Sequence, residues 1–257
     1  MRNRFIVSPF FLDEEVPELE LLAQSDWLIN KPSLPQGVQQ TRMAAIHRPL
    51  ADLVAQTVAS GDRPVSVAGD CCTAIGVLAG LQRRRLNPTL VWFDAHGDFN
   101  TWQTTPSGFL GGMPLAMLVG RGDQTLANGV GLKPLSERQV ILTDARDLDP
   151  GEREAVQASA VRHVAQVATL MENFSPSGPL YIHFDTDIVC PEDAPAMNYL
   201  APGGPSAADL QIVFRKLART GQVAAVSLSS WNPQLDPHGQ TREVCLNLLQ
   251  TLIEDDD

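Results

Sequence analysis

Two apolar runs of this chain each end in carboxylates set two residues apart, and few folds can accept that pattern twice. Thr89-Leu90-Val91-Trp92-Phe93 runs into Asp94-Ala95-His96-Gly97-Asp98, and Leu180-Tyr181-Ile182-His183-Phe184 runs into Asp185-Thr186-Asp187. β-Branched and aromatic residues at this density fill strands buried on both faces. In extended backbone, residues two apart share a side, so Asp94, His96 and Asp98 can converge, as can Asp185 and Asp187. A parallel α/β sheet gathers its chemistry beyond the carboxyl ends of its strands. Both ends can therefore meet over one pocket. Four carboxylates brought together repel unless cations neutralise them. The pattern predicts a metal cluster at the edge of a parallel sheet.

Further strand-like runs at Phe5–Val7, Val65–Ala68, Val140–Leu142 and Val223–Leu228 alternate with helical stretches at roughly 38–60, 72–85, 113–120, 150–158, 206–220 and 239–253. Ser206 and Asp209 are spaced to cap the fifth of these helices. The alternation implies a parallel sheet with helices on both faces. Residues 1–253 read as one α/β domain, followed by an acidic tail at 254–257. Two glycine- and proline-marked segments, Gly97 to Gly112 and Cys190 to Gly204, directly follow the two metal-binding strand ends. Loops of that length in a compact domain tend to be functional, so they are expected to wall a substrate pocket.

A formal net charge of −11 argues against nucleic acid, whose binding needs basic patches. The start, Met1-Arg2-Asn3-Arg4-Phe5-Ile6-Val7, has too short an apolar run for a signal peptide and reads as the first strand. No stretch is suited to cross a membrane. Cys71, Cys72, Cys190 and Cys245 do not form a secreted disulfide pattern. A reducing cytoplasm is the expected compartment.

Taken together, Gly69-Asp70-Cys71-Cys72, the Asp94–Asp98 segment, Asn100-Thr101, Ser107-Gly108, Gly112-Met113-Pro114 and Asp185-Thr186-Asp187 resemble the arginase/ureohydrolase family in order and spacing. Arg146-Asp147-Leu148-Asp149-Pro150-Gly151-Glu152 is similar to that family's later substrate-binding stretch, and Trp231-Asn232-Pro233 to the motif after its final strand. The resemblance spans almost the whole chain. It implies a three-layer α/β/α fold around a central, mainly parallel sheet of about eight strands. It also implies two divalent ions, Mn²⁺ above all, and cleavage of a C–N bond in a small guanidino compound by metal-bound hydroxide. Carried over residue by residue, Cys71, Asp94, Asp98 and Asp185 would hold one ion. Asp94, His96, Asp185 and Asp187 would hold the other, with Asp94 and Asp185 bridging. Asn100 and Ser107 would meet a substrate carboxylate, and Asp149 and Glu152 its ammonium group. The oligomeric state stays open.

Three positions depart from that pattern. Cys71 stands where most members place a histidine, and a soft thiolate there would favour Zn²⁺, Fe²⁺ or Ni²⁺ over Mn²⁺. Gly111 stands where arginases place a proton-shuttling histidine, and Ser230 where a glutamate pairs with the guanidinium. The chain is thus similar to a Cys-ligand branch that includes N-hydroxyarginine amidinohydrolases, and plain L-arginine is not expected as its preferred substrate. Asp98 and His238, the latter in the loop Asp236-Pro237-His238-Gly239, are the candidate catalytic residues. His183 reads as a core histidine held by polar neighbours. Two other classes compete: a zinc deacetylase of related fold, which needs one ion, and a non-catalytic metal- or ligand-binding protein.

Overall fold

The computed structural model describes residues 1–172 and 174–254. Residues 255–257 of the expected acidic tail lie outside them; Glu254 is exposed at the end of the last helix. The described residues form ten strands: β1 (Asn3–Ser8), β2 (Phe10–Phe11), β3 (Glu14–Glu15), β4 (Leu28–Ile29), β5 (Arg63–Ala68), β6 (Thr89–His96), β7 (Val140–Asp147), β8 (Arg162–Val164), β9 (Leu180–Asp185) and β10 (Val223–Ser229). Among the described residues seven α-helices run between them: α1 (Gln39–Ala59), α2 (Thr73–Arg83), α3 (Pro114–Leu118), α4 (Thr125–Val130), α5 (Pro150–Gln157), α6 (Ala207–Ala218) and α7 (Gln240–Ile253). β2 and β3 make a small antiparallel hairpin, and the other eight strands form one parallel sheet in the order β4-β1-β5-β10-β9-β6-β7-β8.

Strand alternation builds the three layers. On β6, Leu90 and Trp92 pack into a cluster with Met43 and Leu50 of α1 and Ile75 and Leu78 of α2. Val91 and Phe93 point the other way, into a cluster with Leu210 and Phe214 of α6 and Leu248 of α7. Phe214 meets Phe93 and Phe184 edge-on, with ring centroids 4.9 and 5.1 Å apart. Burial of each such side chain contributes about 1.5–3 kcal/mol. Helix starts follow the sequence. Ser206 and Asp209 form a reciprocal capping box on α6, and Asp149 and Glu152 do the same on α5.

The close approach of α1 and α2 depends on Gly80, where a Cβ would sit 2.6 Å from the Ala51 carbonyl oxygen and from Val54 Cβ. Neither neighbour can yield without moving backbone. Gly80→Ala is therefore expected to cost ~1–3 kcal/mol by overpacking, read as a lower midpoint in chemical denaturation. An unchanged midpoint would mean that the helices can separate freely.

The strand order fixes the site. β5, β10, β9 and β6 are consecutive in the centre of the sheet. The carboxyl ends of these strands and the segments just after them carry Cys71, Ser230, Asp185 with Asp187, and Asp94 with His96, so these residues fall in one row.

Candidate metal centre

A cavity of about 500 Å³ opens over that row. Its floor carries Cys71, His96, Asp98, Asp185, Asp187 and Ser230. As expected, the two long loops form its walls, through Ser107, Phe109, Gly111 and Gly112 on one side and Met197, Asn198 and Tyr199 on the other. The second wall is tied to the end of β10 by a bridge between Met197 and Trp231 and by the bond from Asn232 N to Ala196 O, 3.0 Å.

Several of the residues around the floor are held by backbone and by one another. Asp70 accepts from Leu12 N at 2.8 Å and Cys72 N at 2.9 Å, which sets the turn carrying Cys71. Asp94 accepts from Trp92 Nε1 at 2.9 Å and from His96 N at 2.7 Å. Asp185 Oδ1 accepts from Asp187 N at 2.9 Å, and Asp187 Oδ1 accepts from Ala95 N at 3.1 Å, linking the two strand ends. His96 Nδ1 lies 2.9 Å from Asp187 Oδ2 and 3.5 Å from Asp94 Oδ1. The Cys71 thiol donates to Asp185 Oδ2 at 2.6 Å, and Ser230 Oγ donates to the same oxygen at 2.5 Å. Ser230 adopts a left-handed backbone, φ 71°, and Asp98 does likewise, φ 50°. Non-glycine residues rarely sit there outside turns and functional sites.

Two groups of donor atoms result. One atom each from Cys71, Asp94, His183 and Asp185 lie within 4.8 Å of one another, and so do one each from Asp94, His96 and Asp187. Asp94 is common to both. Asp98 belongs to neither group, but its Oδ2 is buried without a hydrogen-bond partner. A buried orphan oxygen beside three other carboxylates is costly unless a cation or proton meets it.

Electrostatics points the same way. Burial, then the charge of Asp187, pushes the Asp185 carboxyl up to about 8. Burial, then Asp94, lifts Asp187 to about 6. Asp94 is raised by burial and then by Asp185, and Asp98 rises well above the carboxylate range through burial and then Asp94. The Cys71 thiol is pushed up by burial and by the Asp185 charge. Burial alone would lower His96, but Asp187 and Asp94 outweigh it and carry the imidazole to about 12. In the metal-free protein these groups keep their protons to higher pH than free side chains do.

That proton load sets a pH dependence. Between the ordinary histidine value of 6.5 and the Asp185 value of about 8, the folded metal-free protein keeps protons on Asp185 and His96 that the unfolded chain releases. The folded state binds more protons, so its stability falls as pH rises through that window. The buried neutral histidines His47 and His183, lowered to about 3 by burial, titrate in the unfolded chain at or below its start. Denaturation of metal-free protein at both ends of the window checks the sign. Metal affinity moves oppositely, because cations compete with those protons.

Several expected contacts fall elsewhere. His238 is exposed on the turn before α7 and does not line the cavity. The neighbouring Asp236 anchors that turn by accepting from Trp231 Nε1 at 3.0 Å and Arg242 N at 2.8 Å. The expectation that His238 approaches the pocket is corrected accordingly. Glu152 is buried behind the site, where it accepts from Phe99 N at 2.8 Å and Asp149 N at 3.3 Å, so its oxygens serve backbone. Asn100 is buried, donates to Asp149 Oδ2 at 2.9 Å and is absent from the lining. Ser107 and Asp149 do line the cavity.

The sequence reading missed the aromatic row at the mouth. Phe11, Phe109 and Tyr199 follow one another at centroid distances of 6.2 and 4.9 Å. A Cβ on Gly111 would meet the Phe109 ring at 2.4 Å, so that ring occupies the space a side chain at 111 would need. It also missed His183 in the first donor group, although its two-residue offset from Asp185 carried the signal.

Residues 17–254 match the family model described as Arginase family. Arginase of Bacillus subtilis is 30% identical over 216 residues, covering 79% of this chain and 73% of that protein. The N(omega)-hydroxy-L-arginine amidinohydrolase of Streptomyces lavendulae is 27% identical over 251 residues, covering 96% and 85%. The crystal structure of Bacillus cereus arginase superposes with a TM-score of 0.86 at 24% identity, covering 100% of this chain and 99% of that one. On the match across nearly its full length, this chain belongs to the arginase family.

Proposed function

We propose that this chain is a binuclear metal-dependent amidinohydrolase cleaving a C–N bond in a guanidino or N-hydroxyguanidino compound. The observation that carries the reading is the convergence of Cys71, Asp94, His183 and Asp185, and of Asp94, His96 and Asp187, into two donor groups that share Asp94 beneath one cavity. Asp98 stands beside them with an unpartnered buried oxygen. By the family resemblance Cys71, Asp94, Asp98 and Asp185 would hold one divalent cation and Asp94, His96, Asp185 and Asp187 the other; of these, Cys71, Asp94 and Asp185 lie within mutual reach, as do Asp94, His96 and Asp187. Carboxylates and imidazole suit Mn²⁺, whereas the thiol of Cys71 draws the first site toward Zn²⁺ or Fe²⁺. When bound, such a pair supplies Lewis acidity and an acidified water nucleophile.

The chain's own residues do the rest. Ser107 and Asp149 lie where they can engage the polar tail of an amino-acid substrate, Asp149 being steadied by Asn100 and by the capping bond to Glu152. Asp98 Oδ2 is free to accept a proton from the attacking water and pass it to the departing nitrogen. Phe109 and Tyr199 line the cavity with their rings 4.9 Å apart. The N(omega)-hydroxy-L-arginine amidinohydrolase of Streptomyces lavendulae, which matches 96% of this chain, supports a hydroxylated substrate. Ser230 at the floor is neutral, which supports a substrate less basic than arginine.

Metal analysis of the loaded protein, with release of urea or hydroxyurea from a panel of guanidino compounds, tests the reading. Two ions per chain with turnover are expected. One ion would favour a zinc deacetylase of related fold, and binding without any turnover would favour a non-catalytic ligand-binding protein.

A further inference from the structure

None of the steps above uses His183. Tyr181, His183 and Asp185 alternate along β9, as Ser227 and Ser229 do along β10, so each set projects to one side of the sheet. They make a continuous buried line to Cys71. Tyr181 Oη lies 2.7 Å from Ser227 Oγ, and Ser227 Oγ lies 2.8 Å from His183 Nδ1. His183 Nε2 lies 3.4 Å from Ser229 Oγ, which is 3.1 Å from Cys71 Sγ. The imidazole is fully buried and stacks on Trp92, with centroids 3.6 Å and planes 21° apart. Trp92 is itself pinned by its bond to Asp94. The ring is therefore held on both its face and its Nδ1 edge.

The two nitrogens are not equally satisfied. Nδ1 has a short hydroxyl partner, whereas Nε2 has only a long contact at the limit of hydrogen bonding. Metal-bound imidazoles show this asymmetry, with one nitrogen directed at the ion and the other fixed by a hydrogen bond that sets tautomer and ring plane. His183 also offers a donor within 4.8 Å of those of Cys71, Asp94 and Asp185, a group that Asp98 does not join.

We propose that His183 is a metal ligand. Its Nε2 joins Cys71, Asp94 and Asp185 around the ion on the β5 side, so β9 supplies the imidazole that position 71 lacks. The inference rests on the two-ion reading above. It makes the two sites unequal, with thiolate and imidazole at one and mainly carboxylate at the other, so Co²⁺ and Zn²⁺ should favour the β5-side site over Mn²⁺.

Cobalt provides a readout independent of turnover. Full-length protein labelled with ¹⁵N-histidine and loaded with two Co²⁺ should show a hyperfine-shifted N–H on a histidine nitrogen that exchanges slowly with solvent, as expected for the buried Nδ1–H of a ligating His183. The signal should persist in His96→Asn. In His183→Asn it should vanish, with Co²⁺ affinity at one of the two sites at least ~10-fold weaker. If His183→Asn fails to fold, the wild-type spectrum decides alone. Wild-type protein that binds two Co²⁺ without a slowly exchanging shifted N–H would overturn the His183 assignment while leaving the two-ion reading in place. Protein that binds no Co²⁺ would overturn both.

Discussion

Asp94→Ala and Asp185→Ala are each expected to lose both ions and to lower kcat/KM by ~10³-fold or more, since the charge stabilisation supplied by bound metal is worth several kcal/mol. Asp94 offers a donor to both groups, so its removal opens both sites at once. Asp185 acts by a second route as well. Its Oδ1 holds Asp187 N at 2.9 Å, and without that bond the turn presenting Asp187 is released. A structural role for these carboxylates would show as unfolding instead. Asp94→Asn helps to separate the two accounts, because its single amide oxygen keeps one of the two accepted bonds, from Trp92 Nε1 or from His96 N, while the charge is gone. Metal loss with a smaller fall in the denaturation midpoint of the metal-free protein than in Asp94→Ala is the expected result. Full metal content in either alanine variant would sink the cluster. Asp187→Ala, confined to one donor group, should deplete mainly the second ion.

The fold was legible where local signals and burial agree. The six apolar runs became the six longest strands of the sheet because parallel strands buried on both faces carry continuous hydrophobic sequence. β4 and β8 were not foreseen: they are two- and three-residue edge strands with half-exposed side chains, too short for period-two alternation to register. α4, six residues long and containing Gly129, is likewise below the length at which periodicity speaks. In the site, the strand-end donors could be read from spacing because a pleated strand fixes which side chains share a face. The loop residues could not. Whether Glu152 faces substrate or backbone depends on how α5 packs beneath the loop after β6, and the displacement of His238 depends on the Asp236 anchor. Phe109 filling the space at Gly111 is a contact between residues two apart in an irregular turn, which no sequence period encodes.

Arginine is expected to be turned over at least ~10-fold less efficiently in kcat/KM than N-hydroxyarginine or a less basic guanidino analogue, a gap of about 1.4 kcal/mol. Two features at the pocket set this order. At position 111 there is no side chain to carry a proton, and the Phe109 ring stands 2.4 Å from where its Cβ would be. General-acid assistance is typically worth ~10²–10⁴-fold, and a hydroxylated nitrogen, being the better leaving group, needs less of it. At the floor, Ser230 gives its hydroxyl to Asp185 and offers no carboxylate to a guanidinium. A cation entering a desolvated pocket without a partner is poorly compensated, whereas an N-hydroxyguanidine loses part of its positive charge more easily. Gly111→His alone should not restore arginine turnover, because the new side chain collides with Phe109; the pair Gly111→His and Phe109→Asn makes room for it. Equal efficiency on arginine and N-hydroxyarginine would show that Asp98 protonates the leaving nitrogen fully without help from position 111, and would remove the basis for a hydroxylated substrate.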